Sequence, residues 1–187
     1  MEVSRIRALR GPNLWCRHTA LEAIVSCAPA ERAIADLPDF ESRVRELFPA
    51  IGTLRPSGYQ GPVSLAHVLE AAALALQTQA GCPVTFSRTT ATVDIGVYQV
   101  VVAYSEEAVG RLAFELAQSL VQATLQNTGF DVDAAIAQLR DTDEDERLGP
   151  STGAIVNAAM ARGIPWRRLT QGSLVQFGWG SRQRRIQ

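Results

Sequence analysis

Lysine is absent from this chain of 187 residues, so all eighteen basic side chains are arginine. Every side-chain positive charge that is fixed at neutral pH is therefore a planar, fork-shaped donor rather than a compact ammonium. An excess of either sign is missing as well: the formal net charge is −1, which argues against a nucleic-acid partner. Cysteine is scarce. Cys16, Cys27 and Cys82 are odd in number and scattered, which excludes the usual zinc-ligand spacings and leaves them reading as buried thiols in a reducing cytoplasm. No apolar run approaches the roughly 20 residues that a membrane-spanning helix needs. The start, Met1-Glu2-Val3-Ser4-Arg5, is followed by no apolar signal segment. A Walker-type glycine loop is missing, and so are internal repeats. These absences lead to the expectation of a soluble, cytoplasmic protein, with no membrane contact, made of one cored domain or of one domain and the start of another.

What the chain has is one emphatic helix, Ser64 to Ala80, closed by Gly81. Ser64 suits an N-cap, because its hydroxyl can accept from an orphan N–H of the first turn. Ala and Leu dominate the interior at little entropic cost. Gly81 stands where a left-handed C-terminal cap belongs, and Pro83 forbids continuation. Leu65, Val68, Leu69, Ala72 and Leu76 form one apolar stripe. On this helix sits His67-Val68-Leu69-Glu70, followed by Ala71. A histidine at position 71 would complete H-x-x-E-H, the inverted zinc-protease motif. Residues 67 and 71 share a face one turn apart, where two imidazoles can hold one metal. Glu70 lies beside them, placed to activate a metal-bound water. Alanine removes one ligand. The short pattern can also arise by accident, so His67 and Glu70 as ordinary polar residues at a helix edge remain an open reading.

Along the rest of the chain, Val3 to Leu9 alternates as a half-exposed strand before Gly11-Pro12-Asn13. Ala20 to Cys27 is a short apolar run without a decisive period. Pro38-Asp39 opens a helix reaching about Phe48, and residues 49–62 read as a loop. After Gly81 the period becomes two. Strands are expected through Val84 and Phe86 and through Val93 and Ile95, with breaks near residues 88–92 and at Gly96, and Val97 to Tyr104 is the strongest strand. Ser105 is expected to cap a second long helix, Glu106 to about Leu125, whose acidic first turn matches the positive helix end. Val132 to Arg140 reads as a shorter helix. The acidic run 141–147 reads as a solvated linker. Beyond it a helix from about Gly153 to Arg162 precedes two strand-like runs, Ser173 to Phe177 and Arg184 to Gln187. The last run stops mid-element, which suggests a piece of a larger protein.

Several stretches resemble the cyanophycin synthetase family. They are LRGPNLW at 9–15, GCPVTFSRT at 81–89, GVYQVV at 96–101 and, most specifically, LGPSTGAIV at 148–156, continued by RGIPW at 162–166, GSLVQ at 172–176 and RIQ at 185–187. The resemblance implies an ATP-dependent ligase that builds cyanophycin, a polymer with an aspartate backbone and arginine side chains. It implies three parts: an N-terminal domain, an ATP-grasp domain and a Mur-ligase-like domain, in an enzyme that assembles as a homo-oligomer. Residues 1–140 correspond to the first part and residues 148–187 to the start of the ATP-grasp domain. ATP and magnesium belong to the parent enzyme, and no cofactor is expected within these residues.

In some members the N-terminal domain carries H-x-x-E-H and cuts cyanophycin into primers. This sequence keeps His67 and Glu70 and departs at Ala71, so no metal and no catalytic residue are expected. Were a metal held, His67, Glu106 and Glu107 would be its ligands. The retained task implied is binding of the polymer, with Glu70, Glu106 and Glu107 facing guanidinium groups and Arg88 and Arg111 facing carboxylates. Each of these is also readable as a solvated surface charge. Two alternatives stay open: a working zinc hydrolase acting on cyanophycin, and a purely structural assembly module. The expected architecture is α+β, a small, mostly antiparallel sheet with two long helices packed on it, followed by the first helix and strands of an ATP-grasp domain.

Overall fold

The computed structural model describes residues 1–56, 58–170 and 172–187. Ser57, within the expected loop 49–62, lies outside the described residues. The elements in chain order are β1 (Glu2–Leu9), β2 (Ala20–Ser26), α1 (Phe40–Leu47), α2 (Leu65–Ala80), β3 (Ser87–Ala91), β4 (Val97–Ala103), α3 (Glu107–Gln126), α4 (Val132–Glu146), α5 (Pro150–Ala161), β5 (Trp166–Arg168), β6 (Val175–Phe177) and β7 (Arg184–Ile186). The first four strands form one sheet in the order β1-β2-β4-β3, antiparallel throughout. The last three form a separate antiparallel sheet in the order β5-β6-β7. The α+β expectation holds.

The larger sheet turns one face to the helices. Strand alternation puts Leu21, Ala23 and Val25 of β2 and Tyr98, Val100 and Val102 of β4 on that face, all buried. Against them lie α2 and α3, packed on each other, with α4 on both and α1 on α3. The α2 stripe read from the sequence is the core: Leu65, Val68, Leu69, Ala72 and Leu76 are fully buried. Each leucine there contributes about 1.5–3 kcal/mol by leaving water. Gly81, at φ +97°, ends α2 by returning its N–H to the carbonyls of Gln77 and Thr78. Close approach fixes Gly110 of α3, where an added Cβ would meet Tyr104 Cβ at 2.7 Å and Leu21 Cδ1 at 3.2 Å.

Several boundaries differ from the sequence reading. The undecided run 20–27 is a central strand, β2. The expected break near residues 88–92 is instead strand β3 over Ser87–Ala91, while Val93 and Ile95 stand 99% and 84% exposed in the turn that follows. Asp94 and Gly96 make that turn: Asp94 N–H donates to Thr92 Oγ1 at 3.2 Å, and Val97 N–H to the Asp94 carbonyl at 3.1 Å. The N-cap position of α3 is Glu106 rather than Ser105, whose hydroxyl donates to Asp143 Oδ1 at 3.2 Å. The acidic run expected as a linker is helical to Glu146, as the continuation of α4. Its carboxylates face solvent along one side, and Asp143 turns in toward Ser105 and Cys82. Cys27 and Cys82 are buried and Cys16 is half-buried; all three are free thiols.

The C-terminal sheet hangs on few contacts. Its strands have three residues each, and among the described residues Arg168 joins it to the main body, donating to Glu106 Oε2 at 3.4 Å and to the Glu146 carbonyl. Short strands with little buried apolar surface open locally at low cost. Amide hydrogen exchange in β5, β6 and β7 is therefore expected to run well ahead of exchange in β2 and β4. Equal protection of the two sheets would show that residues 148–186 form a self-sufficient unit.

Candidate functional site

A cleft of about 440 Å³ runs along α2 from His67 to Gln79. One wall is the connection before α2, with Ile51, Thr53 and Leu54; the other is α2 itself, with Ala71, Leu74 and Ala75. His67, Glu70 and Ser87 line its polar end. The helical spacing read from the sequence does bring His67, Glu70 and Ala71 to one place.

His67 is 2% exposed, and its role follows from helix-start chemistry. The first N–H groups of a helix have no intrahelical partner, and here the α2 start is buried from Ser64 to Glu70. Ser64 N–H donates to His67 Nδ1 at 3.2 Å, and the Ser64 hydroxyl stands 2.9 Å from the same nitrogen. Position N3 is where a capping box normally carries Glu or Gln; the imidazole replaces them. Accepting at Nδ1 leaves the ring proton on Nε2. The rings of Tyr59 and Tyr98 flank it at centroid distances of 4.8 and 5.8 Å. Burial, helped by the nearby Arg55 charge, pushes the His67 pKa down to about 4, so the ring is neutral at physiological pH.

Glu70 is 7% exposed. Ser87 Oγ donates to its Oε1 at 2.7 Å. Its Oε2 is buried without a well-formed hydrogen bond, as is the Thr89 hydroxyl, but the Thr89 side chain and backbone N–H lie close enough to Glu70 to stabilise its charge. Burial pushes the Glu70 pKa up, and Thr89 and Ser87 pull it only partway back. Ser87 and Thr89 stand on the helix-facing side of β3. The sequence reading missed both because it placed a break there; their i, i+2 spacing was the available signal.

The other expected site residues lie elsewhere. Gln77 is ten residues past His67, about 15 Å along the helix axis, and its Nε2 donates to the Ala103 carbonyl at 3.1 Å. The start of α3 thus sits toward the far end of α2. Glu106 there meets Arg168, and burial raises its pKa despite that charge. Glu107 accepts from Arg10 at 2.8 Å and from Arg111 at 2.9 Å, and those hydrogen bonds, Arg10's first, pull its pKa down. Arg111 is thereby engaged in an ion pair. Arg88 is exposed and, by strand alternation, on the sheet face opposite Glu70.

These residues do not fit a catalytic zinc, which takes three protein ligands. The accepting nitrogen of His67 is engaged by Ser64, position 71 offers a methyl group, and Glu106 and Glu107 do not reach His67. Among the described residues no group of three or more His, Cys, Asp or Glu could hold a metal ion. Among them, too, no helix is long and apolar enough to cross a membrane.

Residues 28–126 match the family model described as the cyanophycin synthase-like N-terminal domain. The whole chain aligns with curated proteins named cyanophycin synthetase. Identity over 202 aligned positions is 35% with that of Trichormus variabilis and 32% with that of Geminocystis herdmanii. The chain spans 22% and 23% of the length of these two relatives.

The neutral buried imidazole has a measurable consequence. Below about pH 6.5 the unfolded chain binds a proton at His67 that the folded chain refuses down to about pH 4, so stability falls as pH drops through that window. Glu70 acts oppositely, since its raised pKa costs stability as pH rises through the folded value. His67→Gln is expected to keep a capped helix and to remove the histidine contribution. Its thermal midpoint, relative to the parent chain, should improve between pH 7 and pH 4.5. A difference that stays constant across that range would mean that His67 is not the buried neutral acceptor.

Proposed function

The chain belongs to the cyanophycin synthase-like N-terminal domain family, and from that premise we propose that it is the part of a cyanophycin-making ligase that holds the polymer without cutting it. The observation carrying this reading is the engagement of His67 Nδ1 by Ser64 N–H at 3.2 Å. A lone histidine that caps a buried helix start, with Ala71 supplying no second imidazole, falls short of the three protein ligands of a catalytic zinc. An open cleft with Glu70 at its polar end remains, suited to lodging a chain rather than to activating water. The ligation steps, with ATP and magnesium, are assigned to portions of the relatives that this chain does not span. On the same reading α5 and β5–β7 begin the ATP-grasp domain.

Oligomers of β-aspartyl-arginine are expected to bind the chain and to be recovered at unchanged length. Stoichiometric zinc is not expected in the purified protein. Ala71→His should acquire measurable zinc, since the Ser64 hydroxyl can instead accept from Nδ1–H and free Nε2 for a metal. The substitution costs only about 0.5 kcal/mol in helix propensity, so the fold should survive. One zinc per unmodified chain, together with chelator-sensitive shortening of the oligomers, would replace this reading with a working hydrolase.

A further inference from the structure

His67 has two ring nitrogens, and the fold uses one of them. Nδ1 accepts from Ser64 N–H at 3.2 Å, which leaves the ring proton on Nε2. Among the described residues nothing accepts from Nε2, yet it is not one of the fully covered polar atoms, as Glu70 Oε2 and Thr89 Oγ1 are. The residue is 2% exposed and lines the cleft along α2, so Nε2–H belongs to the small part of the ring that the cleft reaches. The hydroxyl hydrogens lining the cleft are already spent. Ser87 Oγ donates to Glu70 Oε1 at 2.7 Å, Thr53 Oγ1 to the Arg55 carbonyl at 3.2 Å and Thr78 Oγ1 to the Leu74 carbonyl at 2.9 Å. Leu54, Ala71, Leu74 and Ala75 make the walls apolar.

A ligand that fits must therefore bring an acceptor for one neutral N–H, together with an apolar flank. A carboxylate entering there would lose water beside Glu70, a group of the same sign. Arg55, the cation whose charge the ring feels, does not line the cleft and is tied to the Tyr59 and Gly61 carbonyls. An amide carbonyl is a strong acceptor without a charge to desolvate. We propose that the cleft is a subsite for a neutral amide group, whose carbonyl accepts from His67 Nε2–H while the methylenes beside it lie on Leu54, Ala71 and Leu74. This deepens the polymer-holding reading and rests on it: the natural occupant is one of the amide links of the bound polymer rather than one of its charged ends. Ser64 is a positioning residue, because its N–H keeps Nδ1 as an acceptor and so directs the proton to Nε2. Position 71 shares the helix face of His67 one turn on, and a side chain larger than alanine would fill the bed.

The test uses the 187-residue chain and two probes of similar length, N-butylacetamide and hexanoate, followed by the nitrogen and proton shifts of His67 Nε2–H and by the amide shifts of α2. N-butylacetamide is expected to saturate one site per chain, to move the Nε2–H signals and residues 71 and 74, and to bind at least about threefold more tightly than hexanoate. His67→Glu keeps an acceptor at the capping position and removes the ring N–H; it should weaken the amide by about 3- to 10-fold, the range for a neutral hydrogen bond. Ala71→Leu should block binding with His67 intact. Tighter binding of hexanoate, or saturation by the amide without any change at Nε2, would overturn the assignment even if the His67 variant failed to fold. β-Aspartyl-arginine oligomers are titrated in parallel. Oligomer binding that N-butylacetamide does not compete with, and that Ala71→Leu leaves unchanged, would remove the subsite and leave the polymer-holding reading standing at another surface. Failure of both oligomer and amide to bind would sink the two together.

Discussion

The constraint on which the rest depends is that α2 begins inside the protein. Ser64 to Glu70 are all buried, where water cannot complete the orphan N–H groups of a first turn. Something internal must accept, and His67 does. That one hydrogen bond selects the tautomer protonated at Nε2, while burial drives the ring's pKa down to about 4. Tyr59, tilted against the ring, and Tyr98, edge-on to it, flank the entry of the chain into α2.

The other charged groups show why a lysine-free chain distributes its sites as it does. Arg10, Arg111 and Arg168 each engage a carboxylate at the start of α3. Glu22 on the outer face of the sheet takes donors from Arg7, from Trp15 Nε1 at 3.1 Å and from Gln99 Nε2 at 2.6 Å. These carboxylates have their partners within the fold. Glu70 differs: the hydroxyls of Ser87 and Thr89 lie beside it, and among the described residues no cation pairs with it. Exposed pairs such as Arg45–Glu41 contribute little to stability. The informative acidic group is the buried one that the fold has left half satisfied.

Much of this was legible in the residues themselves. Both long helices, their apolar stripes, the Gly81 stop and the strongest strand follow from period and capping chemistry, because those signals are local. The juxtaposition of His67, Glu70 and Ala71 was legible for the same reason, being one helical turn. What was not legible depended on distant partners. Ser87-Arg88-Thr89 is polar and reads as a break, yet it is a strand because β4 supplies its ladder and α2 covers its inner side. Val93 and Ile95 look like strand residues and are turn residues, because Asp94 and Gly96 decide the backbone there. The acidic run after Arg140 reads as unstructured by composition alone, but a helix already started on a buried face extends at little cost per added residue. The remoteness of Glu106 and Glu107 from His67 required the length of α2, not its composition.

The pairing of a retained Glu70 with an alanine at position 71 also has a physical logic. In a metal-bound arrangement a glutamate beside the ion gains its electrostatic partner from the metal. Without an ion the same carboxylate is left in an apolar surround, where burial opposes its charge and favours either protonation or a cation from outside. Keeping it buried at 7% exposure is costly, and the hydrogen bonds from Thr89 and Ser87 offset only part of that cost. A single side-chain difference on one helical turn thus separates a ligand set with two imidazoles on one face from one with a single imidazole beside a buried carboxylate. The cap on His67 holds the geometry common to both.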